Sequence, residues 1–258
     1  MLYYQQLIYL GRRLKMISIQ NTQNLTGVTV FGDFHDFEEL YDTLHTIVGD
    51  EDEYLKYDEV RLRVLGVCYD LRHAIMGHRG AKHVPNGLDR DKLRSLSITG
   101  SEMNIYLSFE VLLPEMVFVC YALNDYIYLH EKKHKTHMWD PTISAVRKFQ
   151  SAFAKYLQET LTETKFSQLK KHFTHSIYSR TNKYEGYATQ YVDKHNIKWI
   201  EMSQEKREKN LSIVAKRLAE MDNQYLKVFH GVHQAAKEYE VHPSEIRITE
   251  EYPEDFEW

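Results

Sequence analysis

The sequence predicts an α+β protein that is mostly helical, with a small N-terminal antiparallel sheet on a helical core and a long coiled-coil-like C-terminal helix. Three observations favour this class. Only 11 glycines and 5 prolines punctuate 258 residues, which is typical of helices rather than of many-stranded sandwiches. Residues that alternate between apolar and polar come first, and apolar residues at helical spacing follow them. The hydrophobic content of 43% suffices for a sizeable core.

The overall composition excludes several classes of protein. The chain has 33 Lys and Arg residues against 37 Asp and Glu residues. The resulting net charge of −4 disfavours nucleic-acid binding that depends on the overall charge of the protein. Cys68 and Cys120 both lie in apolar runs, which excludes a disulfide scaffold and favours a reducing, cytoplasmic location. No apolar run reaches the roughly 18 residues of a membrane span, so we expect no membrane contact. Phosphate-binding loops and nucleophile elbows are absent from the sequence, and we predict no cofactor.

The chain divides into three predicted segments. Residues 1–15 form an N-terminal extension, because their aromatic and then basic order is not that of a secretory signal. Met16 is the alternative start of the protein. Residues 16–180 form a mixed α+β core domain, and residues 181–258 form a helical module with an acidic tail.

A hairpin and a helix open the core domain. Alternation at residues 17–19 and 28–30, on either side of the turn-rich segment 21–27, predicts two antiparallel strands. Asp36 is predicted to cap the following helix, and Gly49 is predicted to end it.

The next segment, residues 58–76, is apolar on more than one face. We therefore expect its helix to lie inside the fold. A polar loop follows to about residue 93. Residues 95–111 then read as two strands joined by a turn at 99–101.

Prolines mark the start of two further helices. Pro114 and Pro141 each fit the first turn of a helix, where the missing N–H is not needed. Two shorter amphipathic helices are predicted around residues 164–179 and 184–194.

The C-terminal segment carries the clearest periodicity in the chain. Nine apolar residues with alternating spacings of three and four predict one long helix with a coiled-coil-like seam: Leu211, Val214, Leu218, Met221, Tyr225, Val228, Val232, Ala235 and Tyr239. The seam needs a partner helix, either in the same chain or in a second copy. We expect a homodimer or other oligomer through residues 211–239, and a solvated acidic tail over 249–258.

His130, Glu131 and His134 match the pattern of zinc hydrolases, in which two histidines bind the metal and the glutamate is the general base. The two residues between them are lysines, whose charge disfavours a nearby dication. We therefore interpret the segment as a solvated basic helix end and predict no metal site.

A second polar cluster closes the predicted helix 58–76 and comprises Asp70, Arg72, His73 and His78. It resembles the signature of HEPN ribonucleases, an arginine and a histidine with four to six residues between them. The resemblance implies that two copies meet to form a metal-independent site that cleaves RNA. His78 would help to activate the ribose 2′-hydroxyl and Arg72 would stabilise the phosphorane, with His73 and Asp70 in support. Such an enzyme would act as a toxin or a phage-defence effector.

The alternative hypothesis is a non-catalytic, oligomeric interaction protein. Here Arg72 and His73 make buried ion pairs with Asp125, which interrupts an apolar run beside Asn124. The heptad helix then binds a protein partner. The two hypotheses differ in whether Arg72 and His78 are accessible or enclosed.

One basic stretch could contact a phosphate backbone. Lys170, Lys171 and Arg180 are interleaved with aromatic residues between positions 165 and 180. The alternative is the solvated face of an amphipathic helix.

A wider resemblance covers residues 16–163. The runs that carry it are GVTVFGDFHDFEELYDTLHTIVGDEDEY, RLRVLGVCYDLRHAIMGHR, PEMVFVCYALNDYI and WDPTISAVRKFQ. Together they are similar to a family of bacterial cytoplasmic proteins of unknown function. The resemblance implies membership of that family but no activity.

Overall fold

The computed structural model describes residues 17–173, 187–221, 223–247, 251–253 and 255–258. The predicted extension at residues 1–15 and the phosphate-binding candidate Arg180 lie outside the described residues. The elements in chain order are β1 Ser18–Asn21, β2 Gly27–Gly32, α1 Phe34–Val48, α2 Asp58–Ile75, β3 Gly80–Pro85, α3 Arg90–Ser95, β4 Met103–Leu112, α4 Leu113–His134, α5 Pro141–Thr160, α6 Glu163–Lys170, α7 Tyr187–Ile200, α8 Gln204–Glu220 and α9 Asn223–Tyr239. Short 3₁₀ turns cover Leu55–Tyr57 and Pro243–Glu245.

The predicted fold class is confirmed, since a four-stranded antiparallel sheet packs on a helical core. The strand order is β1-β2-β4-β3. The predicted hairpin is present, and Ile19 lies opposite Val30 in its register. Both side chains are buried with Phe109 and Val111 of β4, so this sheet face forms part of the core.

Strand β3 lies where a polar loop was expected. Only β4 forms over the region predicted as two strands, and it pairs with β3, with Ala81 opposite Leu107. The prediction failed because β3 is an edge strand that buries only Val84 and therefore lacks apolar alternation. Pro85 ends it, a position that an edge strand tolerates.

Helix α1 begins earlier than predicted. Asp33 is its N-cap, and the Asp33 side chain accepts a hydrogen bond of 2.9 Å from the backbone N–H of Asp36. The Asp36 carboxylate in turn accepts a longer bond of 3.4 Å from the Asp33 N–H, which completes a capping box. Asp36 therefore occupies the third helical position and is not the cap. Gly49 follows the helix with φ of +71°, as its predicted end.

Helix α4 is the centre of the core, because it is buried on nearly every face over its first fifteen residues. Pro114 lies in its first turn, as predicted. Pro141 lies in the first turn of α5, as Pro114 does in α4. Asp140 caps α5, because its side chain accepts a hydrogen bond of 3.1 Å from the Ile143 N–H.

The C-terminal periodicity belongs to two helices and not to one. Met221 has left-handed backbone with φ of +48° and separates α8 from α9. The apolar seam is buried from Leu211 to Val232, where α8 packs on α4 and α9 packs on α7. Tyr239 is exposed, and Ala236 is buried in place of the predicted Ala235. The seam therefore packs within the chain.

The C-terminal tail returns to the body of the protein instead of extending into solvent. The carbonyl of Trp258 accepts a bond of 3.0 Å from the Asn24 N–H, and its ring lies against Gly27, where a Cβ atom would come within 2.9 Å of it. Tyr252 bonds to Asp193 of α7. The acidic residues Glu251, Asp255 and Glu257 remain exposed, as expected of a solvated tail, although the chain around them is docked on the body of the protein. None of the helices in the described ranges combines the length and hydropathy needed to cross a membrane.

Candidate active site at the end of helix α2

The HEPN-like cluster lies at a sharp corner between α2 and β3. Helix α2 ends at Ile75, and Gly77 turns the chain with φ of +80°. The His78 N–H donates to the carbonyl of His73 over 2.8 Å, which brings the two histidines close together. Strand β3 begins at Gly80, so a helix end and a sheet edge hold the corner in place.

Arg72 points into solvent from the last turn of α2. Its neighbours Leu71 and Ala74 are buried, and the helical rotation between successive residues turns Arg72 away from the core. Its guanidinium lies 5.7 Å from the centre of the Tyr69 ring, and no carboxylate within the described ranges pairs with it. The predicted buried ion pair with Asp125 is therefore wrong, because Asp125 is enclosed on α4 while Arg72 is exposed.

The two histidines of the corner present their rings to each other. The ring centres of His73 and His78 are 5.9 Å apart, and His78 is exposed. Nδ1 of His73 lies 2.8 Å from the carbonyl oxygen of Tyr69. Because a carbonyl only accepts hydrogen bonds, Nδ1 must carry the proton, and Nε2 of neutral His73 is a proton acceptor.

Asp70 pairs with a residue that the sequence reasoning did not single out. Its carboxylate accepts a bond of 2.8 Å from the Arg79 guanidinium, and this contact raises the pKa of Arg79. Both groups are partly exposed, so the pair contributes little to stability. Asp70 thus orients Arg79 beside the corner. The ion pair and the hydrogen bond that Asp70 makes with Arg79 do not involve Arg72.

The zinc-like pattern at the end of α4 does not assemble a metal site. His130 is buried and its ring lies 4.5 Å from that of His134, while burial and then the neighbouring His134 lower the pKa of His130. Glu53 lies 3.6 Å from His134 but is bonded to Lys133 at 2.8 Å. Glu131 is not part of a group of metal ligands. In the described part of the chain, no three or more His, Cys, Asp or Glu residues are placed to hold a metal ion together.

The remaining predicted binding residues lie apart from the corner. Asn124 is buried and accepts bonds from Arg147 and Gln150, which gives it a structural role between α4 and α5. Lys170 and Lys171 are exposed at the end of α6, and Lys171 is 3.9 Å from Glu220.

A polar network between α2, α4, α7 and the tail was missed by the sequence reasoning. Arg63 bonds to Glu115 over 3.2 Å and to Asp193 over 2.5 Å. Asn196 donates to Glu115 over 2.8 Å and to the Tyr252 hydroxyl over 3.0 Å. These partners are far apart in sequence, so no local pattern indicates them.

In this network, burial acts on the pKa values of Arg63 and Glu115 in the direction opposite to that of their ion-pair partners. Burial alone would lower the pKa of Arg63, but Glu115 and Asp193 outweigh it and raise that pKa. Burial raises the pKa of Glu115 by more than Arg63 lowers it. Removing one partner therefore leaves a costly unpaired group behind.

Comparisons with known proteins place the whole described chain in one family. No curated protein and no solved structure matches it. A family model described as a domain of unknown function, DUF6904, matches residues 17–258. This match includes the C-terminal helices and the tail. The chain belongs to this family, DUF6904.

Proposed function

We propose that this protein is a metal-independent ribonuclease that cleaves RNA at the corner between α2 and β3. The observation that carries the proposal is the joint exposure of Arg72 and His78 beside His73, with the imidazole rings 5.9 Å apart. This arrangement supplies two proton-transfer groups and one fixed positive charge on an open surface, which is what cleavage of a phosphodiester by the ribose hydroxyl requires.

His73 would act as the general base. Its Nε2 is free to take the proton of a ribose 2′-hydroxyl, because Nδ1–H is held by the Tyr69 carbonyl. The 2′-oxygen then forms a bond to phosphorus and the bond from phosphorus to the 5′-oxygen breaks. His78 would donate a proton to that leaving oxygen, so the products are a 2′,3′-cyclic phosphate and a 5′-hydroxyl. These roles differ from the sequence expectation, in which His78 activates the hydroxyl.

Arg72 would stabilise the phosphorane. An arginine with no carboxylate partner in the described ranges keeps its full charge for a phosphate. Arg79, held by Asp70, adds a second cation beside the same corner. In the cell, a nuclease of this kind would act as a toxin or a phage-defence effector.

A cleavage assay on tRNA in EDTA tests the proposal. The proteins to compare are the wild type, His73→Ala, His78→Ala and Arg72→Ala, with His35→Ala as the control because His35 is an exposed histidine on α1. We expect EDTA-resistant cleavage that falls at least about 100-fold in the three corner variants and is unchanged in the control. Circular dichroism verifies that each variant is folded.

Three results would overturn the proposal. The first is wild-type protein that leaves tRNA and total cellular RNA intact. The second is equal cleavage by the wild type and the corner variants, which indicates a contaminating nuclease. The third is cleavage that EDTA abolishes, which indicates metal-dependent chemistry at another site.

A further inference from the structure

Helix α2 has a second apolar face that the described part of the chain leaves uncovered. Leu55, Leu62, Tyr69 and Met76 are 71%, 61%, 53% and 59% exposed. Their spacing of seven residues is close to two helical turns, so these side chains follow one line along α2 and the turn before it. The opposite face, including Val60 and Val64, is fully buried. The apolar pattern of this helix predicts that it lies inside the fold, but the described part of the structure buries only one of its faces.

Gly66 lies at the middle of this line. Among the described residues, no heavy atom beyond its chain neighbours and the backbone of its own helix lies within 4 Å of where its Cβ would be, so packing among those residues does not require a glycine here. Glycine weakens a helix interior, and its advantage is that another backbone can approach closely. A glycine at this position leaves room for the backbone of a second chain to approach helix α2 closely.

We propose that the exposed face of α2 binds the same face of a second copy in an antiparallel pair. The line of apolar residues is symmetric about the point between Leu65 and Gly66. A two-fold rotation about that point sets Leu62 against Tyr69 and Leu55 against Met76, so the face is complementary to itself. The proposal does not depend on the ribonuclease activity.

Charge at the two ends of the helix sets the antiparallel direction. Residues 50–61 contain six carboxylates and two basic side chains. Residues 70–79 contain two arginines and two histidines against one carboxylate. An antiparallel pair brings the acidic end of each helix to the basic end of the other, whereas a parallel pair opposes like charges. The helix dipoles favour the same direction.

The size of the face predicts a reversible dimer. An 18-residue helix is about 27 Å long, and one face of it offers less than the roughly 800 Å² that each partner buries in a standard interface. The two Arg72 residues would be separated by about 20 Å along the helix pair, because each is about 6.5 residues from the symmetry point. The two corners thus lie apart, unlike the composite site that the HEPN resemblance implies, and each lies beside the acidic end of the partner helix.

Sedimentation over a range of protein concentrations tests the dimer. We expect Leu62→Glu to raise the dissociation constant at least about tenfold, because a carboxylate replaces a side chain buried between the copies. The control is Leu226→Glu on α9, because Leu226 is 42% exposed and is not part of the proposed face, and we expect less than a twofold change. Higher salt should weaken the wild-type dimer, since charge complementarity contributes to it.

Cysteine cross-linking tests the face and the direction independently of stability. The natural cysteines are buried, so introduced ones report on contacts. Under mild oxidation Gly66→Cys should form a covalent dimer, and a mixture of Leu55→Cys and Met76→Cys should form the mixed dimer in preference to either self-linked one. Protein that stays monomeric at about 100 μM overturns the proposal. A dimer whose dissociation constant is unchanged by Leu62→Glu and that does not cross-link through Gly66→Cys also overturns the proposal. The same holds if the Leu55→Cys and Met76→Cys proteins form mainly self-linked dimers.

Discussion

Removal of the Arg63 side chain should destabilise the protein more than removal of any surface ion pair. Arg63 donates to Glu115, to Asp193 and to the carbonyl of Thr189. The side chains of Arg63 and Glu115 are only 23% and 15% exposed. Breaking a buried pair costs roughly 3–5 kcal/mol, because the remaining charge loses its ionic partner and is in contact with little water. For a pair that keeps some contact with solvent, we expect Arg63→Ala to lower the free energy of unfolding by about 3 kcal/mol.

Urea unfolding monitored by circular dichroism measures this free energy. Arg90→Ala is the matched control, since Arg90 pairs with Glu102 on the surface, and it should cost less than about 1 kcal/mol. Adding Glu115→Gln to Arg63→Ala should restore about 1–2 kcal/mol of the free energy of unfolding, because the carboxylate that lost its arginine is replaced by a neutral amide. Equal losses in Arg63→Ala and Arg90→Ala would refute the reasoning, and so would a double variant that is less stable than Arg63→Ala.

Two further predictions concern the end of α4. The Lys133 ammonium lowers the pKa of Glu53 from 4.5 to about 2, so this group stabilises the fold above pH 4.5 and loses that contribution as the pH falls towards 2. Urea titrations between these pH values should therefore show a shallower loss of stability for Glu53→Gln than for the wild type. Lys135 ends α4 with φ of +51°, so Lys135→Gly should raise the free energy of unfolding by up to about 1 kcal/mol, whereas Lys132→Gly inside the helix should lower it by about the same amount. A loss of stability in Lys135→Gly would contradict the argument.

Predictions that rested on neighbouring residues were confirmed for several elements. The hairpin, the two prolines at helix starts and Gly49 at a helix end all depend on contacts within a few residues. The position of a cap was less secure, because Asp33 and Asp36 both fit the pattern and only the backbone shows which one lies outside the helix.

The candidate site was located in part. The cluster from Asp70 to His78 is contiguous in sequence, so its composition was visible from the start. Whether the cluster is accessible to solvent could not be predicted from the sequence, because accessibility depends on which face of α2 the sheet and α1 cover. Arg79 became part of the cluster only through its contact with Asp70. The network around Arg63 joins positions up to 130 residues apart, beyond the reach of any local pattern.

By itself, the sequence determined the fold class and the presence of most helices, because apolar periodicity and capping residues act over one or two turns. The tertiary structure decided which apolar faces are used. It breaks the C-terminal seam at Met221 and buries the seam within the chain, while it leaves one side of α2 exposed. Periodicity reveals that a face is apolar but not what covers it, since burial is settled by contacts between residues that are distant along the chain.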